Sequence, residues 1–201
     1  MGMDVYGNDP TVMISSKKFP IYLKYDDMNW PDREKHPDWE KEKEEYWNQL
    51  NDYEKSNPGI YFRNNCWWWR PLWQYCKFIS DHYDLDLIDE ELFESGSYND
   101  GAGLDAKGAI ELAFHIELSI KQGVAKGYEK ERQEWLDSLE DENCYRCNGN
   151  NMGYNKKKEC NSCNKTGKIE HSSKSYPFNI QNVKDFAEFL EYSGGFRIND
   201  N

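Results

Sequence analysis

The stretch Tyr61-Phe62-Arg63-Asn64-Asn65-Cys66-Trp67-Trp68-Trp69-Arg70-Pro71-Leu72-Trp73-Gln74-Tyr75-Cys76 holds four of the eight tryptophans within seven residues. From Trp69 onward the large residues fall at Trp69, Leu72, Trp73, Cys76 and Ile79. That spacing predicts a helix with a single apolar stripe. Pro71 suits the first turn of such a helix, where a missing N–H leaves no bond unmade. Residues 63–68 then form the approach to it, where side chains and backbone N–H groups can converge on a ligand. Trp67 and Trp68 cannot both share the buried stripe with Trp69, so at least one faces a cleft or a partner. Arg63, Asn64, Asn65, Trp67, Trp68 and Arg70 are therefore the candidate ligand-binding residues. Planar, multi-donor groups beside large π faces suit a ligand with an aromatic ring and negative charge. Asn99 and Asp100 are the candidate opposite wall. The competing reading is an aromatic core whose arginines pair with the abundant carboxylates.

Outward from that stretch the pattern is mainly helical. Toward the N-terminus, Met3-Asp4-Val5-Tyr6 reads as a strand ended by Gly7-Asn8-Asp9-Pro10, and residues 19–25 as a second extended piece. Asp38 is positioned to cap a charged helix over 39–53, which Asn57-Pro58-Gly59 stops. Toward the C-terminus, 81–94 is acidic and 95–105 is a turn-rich loop. Asp105 caps a helix with Ala109, Leu112, Ala113, Ile116 and Ile120 on one face and Gly123 at its end. Another helix covers 127–139. A last one follows Asn182, read as its cap, and Phe196-Arg197-Ile198 is a final strand positioned to pair with the first. The expected fold is α+β: a helical body over 1–140 and 170–201 with a small sheet from the chain ends, and an inserted zinc hairpin over 141–169.

Of the 201 residues, 31% are charged but 15% are aromatic, which marks a folded chain with a strongly solvated exterior. A net charge of −12 makes nucleic acid an unlikely partner, because phosphates need a basic face. No apolar run approaches the length of a membrane span and the N-terminal stretch does not read as a signal peptide, so a soluble cytoplasmic protein is expected. Six cysteines in such a chain point to metal or free thiols rather than disulfides.

Four of those cysteines form two CxxC pairs, Cys144–Cys147 and Cys160–Cys163. Each pair on a tight turn presents two thiolates to one metal, and the two together complete a closed tetrahedral site for Zn²⁺. Lys156, Lys157 and Lys158 stand between the pairs, where they would meet phosphate if they met anything. Of the other two cysteines, Cys76 falls on the apolar stripe and reads as packing, whereas Cys66 has no histidine near it in sequence to activate it.

Asn148-Gly149 after the first pair and Asn164-Lys165-Thr166-Gly167 after the second resemble the CxxCxGxG repeats of DnaJ-type chaperones, reduced to one unit. The resemblance spans about 25 residues and implies a zinc hairpin rather than a chaperone. His36-Pro37-Asp38 matches the tripeptide of J-domains, but no long basic helix precedes it, so it reads as coincidence. Over nearly the whole chain, the motifs Met3-Asp4-Val5-Tyr6-Gly7, 57–65, the tryptophan cluster, Tyr98-Asn99-Asp100-Gly101, the cysteine pairs and Ser193-Gly194-Gly195-Phe196 are similar to a family of small bacteriophage and prophage proteins. That resemblance implies a phage origin and action in the cytoplasm of a bacterial host.

Two functional readings follow. One is a non-enzymatic binding protein that sequesters a small anionic aromatic ligand, such as a nucleotide signal of host defence. The other is an interaction module that grips a host protein. An enzyme ranks third, since no acid–base or nucleophile constellation appears.

Overall fold

The computed structural model describes residues 2–98, 100–150 and 160–199. A strand, β1 (Gly2–Gly7), leads to three helices, α1 (Pro20–Tyr25), α2 (Trp30–Lys35) and α3 (Trp39–Ser56). Next come β2 (Tyr61–Asn65), α4 (Cys66–His82), α5 (Glu90–Gly96), β3 (Asp100–Leu104), α6 (Ala106–Gln122) and α7 (Val124–Ser138). Two short strands, β4 (Glu142–Asn143) and β5 (Lys168–Ile169), close the cysteine hairpin. The chain then forms α8 (Ile180–Tyr192) and β6 (Phe196–Asn199). The fold is α+β with a mainly helical body, as the sequence indicates.

The chain ends do build the sheet. β6 pairs antiparallel with β1, and the full order is β2-β1-β6-β3. Val5 stands opposite Phe62 on one side and Ile198 on the other, a row that faces the helices. The adjacent row, Arg63 opposite Asp4, therefore faces outward, because side chains alternate along a strand. α4, α6 and α8 cover the inner face. Trp69 and Trp73 lie fully buried there with rings stacked 5.6 Å apart. Their indole N–H groups donate to the Gly96 and Phe93 carbonyls at 2.8 and 2.9 Å, which removes the penalty for burying them.

A second core, built almost wholly of rings, sits between α1, α2 and α3: Tyr22, Tyr25, Trp39, Tyr46 and Tyr53. Here the structure departs from the sequence reading. Residues 19–25 are not extended; a 3-10 turn (Ser16–Lys18) runs into α1. Pro20 opens that helix, and Gln49 of α3 accepts from the Ile21 and Tyr22 N–H groups at 2.8 and 3.1 Å. The cap is thus supplied from a distant element. Asp38 precedes α3 without capping it. Its carboxylate is drawn instead to Lys24 at 3.1 Å, while His36 Nδ1 lies 3.3 Å from the Tyr25 hydroxyl. The polar groups of the His36-Pro37-Asp38 tripeptide are thereby engaged inside this module.

Three other boundaries shift. Asn65 caps α4 by accepting from both Trp67 and Trp68 N–H, so the helix begins at Cys66 and Pro71 falls beyond its first turn. Part of the 95–105 loop is strand β3, seated on β6 where Gly103 lies too close to Phe196 for any side chain. Asn179, not Asn182, caps α8 by accepting from the Gln181 and Asn182 N–H groups. Asp105 caps α6 and Gly123 ends it in the left-handed region, as their types require.

Candidate functional site

The four hairpin cysteines are buried, and their sulfurs lie within 4.8 Å of one another. Cys144 and Cys160 Sγ are 3.8 Å apart, and Cys147 and Cys163 Sγ 3.7 Å. A tetrahedron with metal–sulfur bonds of about 2.3 Å has edges of about 3.8 Å, so these separations fit one ion held by four thiolates. They are far beyond a disulfide bond. Left-handed residues after each pair, Asn148 and Gly149, then Asn164, Lys165 and Gly167, turn the chain tightly enough to aim both sulfurs inward. Burial opposes ionisation of Cys163, but the Gly167 N–H and the neighbouring thiols outweigh it and bring the group down to about 7. The cluster can hold a metal ion. The DnaJ-like glycines are therefore backbone devices of the turn. Lys156, Lys157 and Lys158 lie outside the described residues.

The tryptophan stretch divides between two places. Asn65 is a helix cap, while Asn64 donates to Asn182 at 2.7 Å and the Trp68 carbonyl lies 3.4 Å from Asn182 Nδ2, so the latter two lock the strand–helix junction to α8. Arg63 projects from the outer face of the sheet, 70% exposed, with its Nε 3.7 Å from Asp4. Asp100 lies at the far edge of the sheet, on β3, with β1 and β6 between it and β2. Asn99 lies outside the described residues.

Trp67 and Arg70 turn the other way, toward Tyr176. The Arg70 guanidinium donates to the Tyr176 hydroxyl at 2.8 Å and lies 5.9 and 5.6 Å from the ring centres of Tyr98 and Tyr176. Arg132 of α7 also reaches this residue, donating to the Tyr176 carbonyl at 3.0 Å and to Gln74 at 3.1 Å. Trp67 packs on the Tyr176 ring at 4.9 Å, and Trp135 lies 5.8 Å from the Arg132 guanidinium. Arg70, Gln74, Arg132, Trp135, Ser173 and Tyr176 line a cavity of about 270 Å³. Among the described residues neither arginine has a carboxylate within 4 Å, and the buried Arg132 Nε has no hydrogen-bond partner. Trp135 in its lining and Trp67, packed on Tyr176, are each 46% exposed.

The arrangement thus pairs Arg70 with Arg132, not with Arg63. Sequence reasoning missed Arg132, Trp135 and Tyr176 because they belong to segments on either side of the cysteine hairpin. Their one signal was the Arg132/Trp135 spacing of three, which puts both on one helix face.

A larger cavity lies elsewhere. A groove of about 860 Å³ runs between α3, β2 and α8, with Trp47, Glu54, Tyr61, Arg63 and Glu188 among its walls. Burial lifts the Glu54 carboxyl to about 7.

Fold and site together define an α+β protein with a buried four-cysteine cluster able to hold a metal ion and a cavity lined by, among other residues, two arginines, Trp135 and Tyr176. Comparison of the chain with protein-family models, curated proteins and solved structures gives no match. No helix among the described residues is long and apolar enough to cross a membrane.

Proposed function

We propose that this is a non-enzymatic binding protein, of bacteriophage origin and acting in the host cytoplasm, whose hairpin is stapled by Zn²⁺ and whose ligand is a small aromatic anion of the nucleotide class. The observation that carries the reading is the Arg70–Arg132 pair on Tyr176. In a chain with 37 acidic residues, two guanidiniums that among the described residues bond only to neutral oxygens are held ready for an external anion. Trp67 and Trp135 provide ring faces for a base. Four soft sulfurs in a closed, buried set favour zinc among common metals.

The test is thermal shift with mono-, di- and cyclic nucleotides and with free nucleosides. Nucleotides raise the melting temperature, nucleosides do so far less, and Arg70→Gln and Arg132→Gln each remove the shift while leaving the unliganded protein folded. Absence of any shift with the full panel refutes the reading. The exposed rings Trp67, Trp135 and Tyr98 also suit a protein partner, the second reading. Pull-down from a bacterial lysate that Trp135→Ala abolishes, with nucleotides inert, would favour it.

A further inference from the structure

The groove between α3, β2 and α8 is separate from the two-arginine cavity and is described by different residues. Three successive residues of β2, Tyr61, Phe62 and Arg63, line it. Successive side chains of a strand point to opposite faces, so a cavity that meets all three runs along the edge of the strand. That edge is open: β2 ends the sheet and pairs only with β1 among the described residues. No proline or bulge interrupts Tyr61–Asn65, and folded proteins normally guard an edge of this kind.

The walls say what fits there. Phe62, packed on Phe189 at 5.8 Å, makes an apolar side, while Trp47 and Tyr61 provide rings along the other. Glu54, Asp185 and Glu188 bring carboxylates to the groove. Against them stand Lys55 and Arg63, and Arg63 is already beside Asp4. Glu54 is half-buried, and among the described residues its carboxylate has no hydrogen-bond or ion-pair partner. A partly desolvated carboxylate without a partner is an unfavourable arrangement that an incoming cation relieves.

We propose that this groove receives an extended peptide segment of a partner protein, which adds as a further strand beside β2 and places a lysine or arginine against Glu54. Main-chain bonds to the open edge supply affinity, and alternate side chains divide between the Phe62 side and the acidic, ring-lined side.

The test uses the full-length, metal-loaded protein and fluorescent nine-residue peptides that alternate valine with lysine, with glutamine or with glutamate, followed by anisotropy. The lysine peptide binds tightest, the glutamine peptide at least several-fold more weakly, and the glutamate peptide not at all. Methylating alternate backbone nitrogens of the lysine peptide abolishes binding in one of the two registers, which a contact made by charge alone would not show. Glu54→Gln weakens the lysine peptide about tenfold, yet raises the melting temperature of the free protein, separating a binding role from a structural one. Equal binding of the three peptides, no binding of any, or indifference to backbone methylation in both registers each overturns the proposal. So does a concentration-dependent dimer that Phe62→Lys disperses, since the edge would then be occupied by a second copy of the chain.

Discussion

At the scale of single residues, two side chains show how position reverses the meaning of a residue type. Asn65 looks like a ligand-binding amide in sequence, but its carbonyl oxygen is spent on the Trp67 and Trp68 N–H groups. Asn65→Ala should therefore destabilise the protein by about 0.5–2 kcal/mol in chemical denaturation, with no change in ligand binding beyond that loss. Glu54 is the opposite case, an ordinary acidic residue of a charged helix that the groove makes unusual. Its carboxyl is lifted from the usual 4.5 to about 7 by burial. Below the unfolded value both states hold the proton and the group is neutral to stability. Between the two values the unfolded chain has released it while the folded chain keeps it, so stability falls as pH rises. Above the folded value the full penalty is in place. Allowing for partial exposure, Glu54→Gln should stabilise the protein by about 1–2 kcal/mol near pH 8 and by nothing near pH 4. Urea midpoints for both proteins across that window measure it; a difference independent of pH would assign the effect to packing.

At the scale of elements, the cysteine hairpin does more than hold its own turns. β4 and β5 pair at its base, and His171 Nε2 lies 3.0 Å from Glu142 Oε1 just outside. The chain that enters carries Arg132 and Trp135, and the chain that leaves carries Ser173 and Tyr176. The hairpin therefore fixes the separation of the two walls of the arginine cavity. With a metal bound to the cluster as proposed, its removal by a chelator, or loss of one ligand in Cys160→Ser, should unfold the hairpin locally, since the ion would supply folding energy there. The α4–α6–α8 core should remain folded by circular dichroism, while hydrogen exchange speeds up over 132–136 and 173–178. Unchanged exchange in those segments would show that the arginine cavity stands without the hairpin. These elements were unevenly legible in sequence. Helix α6 was, because its cap, its stripe and its Gly123 stop all agree locally, and so were the CxxC pairs and the terminal strands. Helix α1 was not, because its N–H groups are satisfied by Gln49 from another helix, nor β3, whose Gly101 and Gly103 read as a turn until β6 is beside them. The Arg70–Arg132 pairing was illegible for the same reason: the two residues lie 62 positions apart on separate helices and meet at Tyr176, so no local pattern joins them.

At the scale of the whole molecule, two cores divide the work. The larger is the sheet with α4, α6 and α8, and the smaller is the ring cluster of α1, α2 and α3, with the open groove between α3 and the sheet edge. Asn57 joins them. It is fully buried where α3 ends, ahead of β2. Its side chain accepts from the Met13 and Ile14 N–H groups at 2.7 and 2.9 Å and donates to the Ile14 and Tyr53 carbonyls at 3.0 and 2.8 Å. An amide has two lone pairs and two donors, so all four are used, and the link from β1 to α1 is thereby tied to the end of α3. Asn57→Ala leaves those backbone groups without partners at a cost of about 1–3 kcal/mol. If the ring module opens as its own unit, the loss falls on α1 and α3 alone, where amide exchange should quicken roughly 5- to 150-fold, with α4, α6 and α8 unaffected. An equal loss of protection everywhere would instead mean that the two cores unfold as one. The first outcome also predicts a looser groove, because α3 forms one wall of it and β2 the other. Asn57→Ala should then weaken the lysine peptide while sparing the nucleotide response at Arg70 and Arg132, which draws no wall from the ring module.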